Sequence, residues 1–199
     1  RFCIIRVVDY KTGTKKFDLR EVYYGLDCQM LLYLFTLERN GGHLFSQGTA
    51  AGVEYLWADP APENIIRPET DDAEPLQAQN YPLEGLLLDE PSIYHAMDTR
   101  GTGAFVPLSF SAKTGEPTAQ SAKSRLADRE KFNRIRDHLD GMLTDMAKNL
   151  YSGEIDAAPL VPNAGKSPCL WCEYRTVCRH ADGEGERTPL KPDDPFGAE

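Results

Sequence analysis

The stretch Val7-Val8-Asp9-Tyr10-Lys11-Thr12-Gly13 ends an apolar run with a carboxylate and an ammonium two residues apart. In an extended strand successive side chains alternate faces, so Asp9 and Lys11 project from the same side. Ile4, Ile5, Val7 and Val8 put hydrophobic groups on both faces, which predicts a central strand covered on both sides. A charged pair at the tip of such a strand is costly unless it meets a metal or a polyanion. A carboxylate can hold a divalent cation, and a neighbouring ammonium can orient a water or stabilise a phosphoryl oxyanion. Alone, a D-x-K at a strand end is more often a solvated turn.

Working outward, Thr12-Gly13-Thr14 reads as a turn. Asp18 followed by Glu21 resembles a capping box for a helix running towards Arg39, with Gly25 marking a bend or a close approach within it and Gly41-Gly42 ending it. On it Gln29 and Tyr33 lie four apart and share a face, next to Val22 and Leu26. A glutamine and a tyrosine in this relation usually trim the edge of a core. Val53 to Trp57 alternates like a strand, and residues 58–82, rich in Pro, Asp and Glu, predict an irregular excursion. Leu86-Leu87-Leu88 suggests a short buried segment, Pro91 to Met97 a short helix, and Phe105 to Phe110 a short strand among loops. Phe132, Ile135, Leu139, Met142, Leu143, Met146 and Leu150 step by three and four, an amphipathic helix with Asp128 as N-cap and Gly153 just past its end.

The 199 residues suffice for one domain with an appendage, here residues 1–180 followed by an acidic, disordered tail over 181–199. The first residue is Arg1 and the chain opens inside a strand, so a longer parent is expected. No stretch is apolar enough to span a membrane and no signal peptide is recognisable, which points to the cytoplasm. The net charge of −9 is unevenly spread. Residues 1–53 hold seven Lys/Arg against five Asp/Glu, and residues 91–180 twelve against ten, each net +2. Residues 54–90 hold one against ten, and the tail two against six. The motif-bearing parts are mildly basic, so acidity does not exclude DNA as a partner, though it predicts poor binding by this chain alone.

Five cysteines, an odd number, argue against a secreted disulfide framework. Cys169-x-x-Cys172-x5-Cys178, within residues 168–180, can supply three thiolates to a metal centre, either zinc or an iron–sulfur cluster. His180 could complete a zinc site. Cys3 and Cys28 qualify by residue type only and read better as small buried hydrophobes.

An apolar strand, D-x-K-T-G and a helix bearing Q-x-x-x-Y, in that order, resemble the PD-(D/E)xK nuclease superfamily, specifically its RecB-like branch. Adding C-x2-C-x5-C at the far end makes the chain similar to the iron–sulfur-stapled nucleases. Gly85-Leu86-Leu87-Leu88-Asp89, Ala96-Met97-Asp98 and Gly153-Glu154-Ile155 to Pro159 extend the resemblance to the nuclease domains of AddB-type subunits of bacterial helicase–nucleases. It implies an α/β core, a central mixed sheet flanked by helices, lacking its opening helix and first strands. It implies a Mg²⁺-dependent DNA exonuclease within an ATP-dependent complex that processes double-strand breaks for recombination, with DNA and a helicase A subunit as partners. By resemblance Asp9 would ligate Mg²⁺, Lys11 would orient water or stabilise the oxyanion, and Gln29 and Tyr33 would flank the site. Cys169, Cys172 and Cys178 would hold three corners of a structural [4Fe–4S] cluster. The family's further acidic ligand and its first cluster cysteine lie upstream of Arg1, so the chain alone is expected to be nearly inactive and without a cluster. The competing expectation is a non-catalytic module of nuclease fold that grips a DNA end or a partner subunit, its cysteines holding zinc or nothing. A small stand-alone cluster-containing exonuclease fits the motifs but not the acidic segment 54–90.

Overall fold

The computed structural model describes residues 3–13, 15–44, 48–58, 83–161, 167–180, 184–189 and 194–197. The predicted excursion lies, from residue 59 to residue 82, outside the described residues. Two compact units emerge: residues 1–17 with 27–136, and residues 18–26 with 137–199.

The first unit is built on a four-stranded mixed sheet in the order β1 (Cys3–Lys11), β2 (Gly48–Trp57), β3 (Leu83–Leu88), β4 (Leu126–Ala127). β1 and β2 run parallel, β2 and β3 antiparallel, β3 and β4 parallel. Two parallel neighbours need a crossover, and α2 (Gln29–Asn40) supplies it, packing on both β1 and β2. β1 alternates: Ile5 is buried, whereas Ile4, Val8 and Tyr10 are exposed. The odd-numbered face is the covered one, which places α2 there with Met30, Leu31, Leu34 and Phe35 turned inward. On the other face Leu87 packs with Tyr94, Val106, Leu108 and Leu126, bringing in α3 (Pro91–Met97), α4 (Ala119–Arg125) and the loop before α4. Helices thus flank both faces of the sheet, the α/β layering expected from the sequence.

Several expectations need correcting. Among the described residues β1 is an edge strand, not a central one, and its even face is largely open. A two-faced apolar pattern records that a strand can be covered twice; it does not say which residues do the covering. The single helix predicted from Asp18 to Arg39 is two helices, α1 (Leu19–Tyr23) and α2. Gly25 (φ +85°) and Asp27 (φ +53°) both adopt left-handed backbone between them, which no helix tolerates. Asp18 does cap α1, accepting from the Arg20 backbone N–H at 2.9 Å. Phe105 to Phe110 forms no strand; only Phe110 bridges to Pro117, and the fourth strand is the two-residue β4. Two residues give no periodicity to read.

β1 and β2 do not pair uniformly. The register slips between Ile5 and Arg6, so that Ile5 faces Ala50 and Arg6 faces Gly52. At Gly52 a Cβ would sit 2.4 Å from Leu87 Cδ2 and 2.6 Å from the Leu86 carbonyl oxygen, so no side chain fits on this face.

α5 (Arg129–Ser152) matches the predicted amphipathic helix, and Asp128 Oδ1 accepts from the Lys131 N–H at 2.7 Å. The division between units falls within it. In the first unit its Phe132 packs edge-on against Phe35 of α2, centroids 6.3 Å apart. In the second unit His138 stacks on Tyr23 at 4.7 Å and its Nε2 donates to the Tyr23 carbonyl at 2.8 Å. Phe196 packs edge-on against both rings and is buried. The composition of the tail suggested no fixed place for it; its described part around Phe196 has one. Further along the helix Leu143, Met146 and Leu150 are exposed, so the apolar stripe is buried only in part.

Candidate active site

Asp9 and Lys11 stand on the odd face at the C-terminal end of β1, as strand alternation requires. Lys11 Nζ lies 2.5 Å from Asp9 Oδ2, and each side chain is a little over one-third exposed. The pair is therefore open to a ligand. The register sets Tyr55 of β2 directly opposite Asp9 and hence on the same face. Its ring lies beneath Lys11, with Nζ 5.3 Å from the centroid, and is nearly fully buried. The Phe17 ring lies tilted against it, centroids 6.4 Å apart. The sequence reading missed Tyr55 as a neighbour of the pair, although cross-strand register, once known, dictates it.

Gln29 and Tyr33 share a face of α2 as their spacing predicts, and the Gln29 Nε2 donates to the Tyr33 hydroxyl at 2.8 Å. Tyr33 is about half exposed. Among the described residues neither forms a hydrogen bond with Asp9 or Lys11. They belong to the helix packed on β1, yet stand as a separate pair. Val22 and Leu26, expected beside them, lie outside α2 and in the other unit.

The burial of Glu54 was not foreseen. Glu54 of β2 is almost wholly inaccessible on the opposite face, 3.0 Å from Arg6 Nη1, which also donates to the Phe105 carbonyl at 2.8 Å. Its Oε1 has no hydrogen-bond partner among the described residues. Burial lifts the carboxyl to about 7, against the opposing pull of the Arg6 charge. The alternation Val53-Glu54-Tyr55 reads as an ordinary half-buried strand, so only the burial of β2 on both faces reveals the anomaly.

Cys169 begins the second candidate region, in a short 3-10 turn (Pro168–Trp171) that Cys172 caps, while Cys178 ends α6 (Arg175–Cys178). Cys172 and Cys178 are exposed, as are Trp171, Tyr174 and Val177. His180 keeps a buried Nε2 with no hydrogen-bond partner among the described residues. Among the described residues no three Cys, His, Asp or Glu side chains converge as a metal site would need. Cys28 is buried, and desolvation, aided by the Asp27 charge, raises its thiol to about 11. It behaves as the small hydrophobe its surroundings suggested.

A sequence profile described as the PD-(D/E)XK nuclease superfamily matches residues 4–179. The chain belongs to that superfamily. As a PD-(D/E)XK domain it is similar to the B-type subunit of the ATP-dependent helicase/deoxyribonuclease of Clostridium kluyveri, 32% identical over 180 residues. The protein of the same name from Thermoanaerobacter pseudethanolicus is 31% identical over 182 residues, and that from Exiguobacterium sibiricum 30% over 182. Each match takes in 88% of this chain but only 15%, 15% and 16% of the relative. The chain thus spans less than one-fifth of the length of the curated relatives it matches. Among the described residues no helix is long and apolar enough to cross a membrane.

Proposed function

We propose that this chain is the nuclease portion of a larger helicase–nuclease subunit that hydrolyses DNA phosphodiesters at double-strand breaks, working in the cytoplasm beside a helicase partner. The observation that carries the reading is the Asp9–Lys11 pair: one carboxylate and one ammonium on one strand face, in contact and open to solvent. Lys11 carries three N–H donors on a flexible stem. It can hydrogen-bond a non-bridging phosphate oxygen, or the attacking water, and oppose the negative charge that grows in the transition state. Asp9 can accept from that water. Gln29 and Tyr33, exposed on α2, are suited to contact the DNA backbone.

Nucleases of this superfamily call for Mg²⁺, and the family resemblance calls for [4Fe–4S]. Tested against the described residues, neither fits completely: Asp9 offers one carboxylate, and the three thiolates do not gather. Mg²⁺ demands several well-placed oxygens and dehydrates reluctantly. Any ion at Asp9 would need further ligands from outside these residues, and a Cys₄ cluster would need a fourth thiolate.

Digestion of linear duplex DNA by the intact subunit, compared with its Asp9→Ala variant, tests the reading. Loss of cleavage with DNA binding retained is expected, and the 199-residue chain alone should cleave almost nothing. Full cleavage by Asp9→Ala would overturn the catalytic role. A wild-type subunit that binds DNA ends but never cuts them would turn the fold into a gripping module.

A further inference from the structure

We propose that Tyr55 is the seat of Lys11, a positioning residue that holds the ammonium over its ring face at the strand tip. The inference rests on the nuclease reading of Asp9 and Lys11 and deepens it. Lysine has a long, freely rotating stem, so an ammonium at a half-open site spreads over many rotamers unless something localises it. In this structure Asp9 does so at 2.5 Å. A catalytic site, however, must engage Asp9 with water or a ligand, and the carboxylate is then no longer Lys11's alone.

The second contact survives that change. Tyr55 is fixed by β-sheet register directly across from Asp9, by burial, and by contact with the Phe17 ring. Lys11 Nζ lies 5.3 Å from its ring centroid, within the range where the negative ring face attracts a cation. A carboxylate in this place would hold the ammonium too, but it would also compete for whatever cation or proton Asp9 handles. The ring face holds the ammonium without adding a second negative charge beside Asp9. Sequence reading could not show this, because the pairing depends on a slip between Ile5 and Arg6 that brings Tyr55, not a neighbour, opposite Asp9.

The test varies the ring's charge distribution at constant shape. In the intact subunit, residue 55 is replaced by phenylalanine and then by phenylalanines bearing one, two and three ring fluorines, each of which weakens cation binding. Single-turnover cleavage, the KM for linear DNA and thermal melting are measured, with Tyr55→Leu and Lys11→Ala alongside. Tyr55→Phe should keep most of the rate. Across the fluorine series kcat should fall stepwise, by about 3- to 30-fold in all, with KM and melting unchanged. Tyr55→Leu should lie at or below the foot of that series if it folds. A flat series with an inactive Lys11→Ala overturns the seat while leaving the nuclease reading intact. Lys11→Ala cleaving at the wild-type rate brings down both.

Discussion

The tip of β1 and the cysteine segment both carry metal-ligating residue types at close spacing, yet the fold treats them differently. At the strand tip the two residues meet each other and a buried ring, and every contact is supplied within the first unit. Around Cys169, Cys172 and Cys178 two of three thiols are exposed, the adjoining Trp171 and Tyr174 are exposed, and no ligand set forms among the described residues. Two residues spaced two apart on a strand are brought together by strand geometry itself. Three thiols spread over ten residues of turn and short helix are not brought together by their own local structure.

The largest effect should come from the strand tip. Lys11→Ala in the intact subunit is expected to lower the cleavage rate by roughly 10²–10³-fold, the scale for losing one donor aimed at developing charge. Melting should be unchanged, because the side chain is over one-third exposed. A comparable loss from Gln29→Ala would enlarge the site to include α2; no loss from Gln29→Ala would confine it to β1.

Next is the core that holds the tip. Leu34 of α2 is fully buried, and Leu34→Ala should cost about 2–5 kcal/mol in urea unfolding. Leu150, exposed on the second half of α5, should cost within about 0.5 kcal/mol on the same change. Equal costs would erase the contrast between the two regions.

Glu54 predicts a pH dependence. Its folded value of about 7 lies above the ordinary 4.5, with burial as the main cause. The native chain therefore holds this proton more tightly than the unfolded chain does. Stability from this group is full below pH 4.5, drains as pH rises towards 7, and is gone above it. Glu54→Gln should unfold at higher urea than the parent at pH 8, by on the order of a few kcal/mol, and the two should converge near pH 5. A constant gap at both pH values would mean that Arg6 keeps the carboxylate charged throughout.

The smallest effect is expected at the cysteines of the chain alone. Cys172→Ser should shift its stability by no more than about 0.5 kcal/mol, as for an exposed side chain away from the core. In the intact subunit the same change should remove bound iron and lower melting. Tight zinc in the isolated chain, lost on His180→Ala, would replace the cluster reading with a zinc one.

Much of the fold was legible because its signals are local. Asp9 and Lys11 share a face by strand period, Gln29 and Tyr33 by helix period, and Asp128 and Pro91 mark helix starts found where expected. What was illegible is tertiary. The edge position of β1 depends on what pairs with it, the register slip at Arg6 leaves no mark in a run of β-branched residues, and the break after α1 hides behind a continuous helical pattern. Tyr55 and Glu54, adjacent in sequence, point to opposite faces, and only the register tells which one meets the site.

The most direct test of the division between a chemical strand tip and a structural cysteine segment is single-turnover cleavage of linear DNA per folded subunit, comparing Asp9→Ala with Cys172→Ser below both melting temperatures. Asp9→Ala should show no cleavage with unchanged melting, and Cys172→Ser near-normal cleavage with lowered melting. Cleavage that survives in Asp9→Ala would contradict that division.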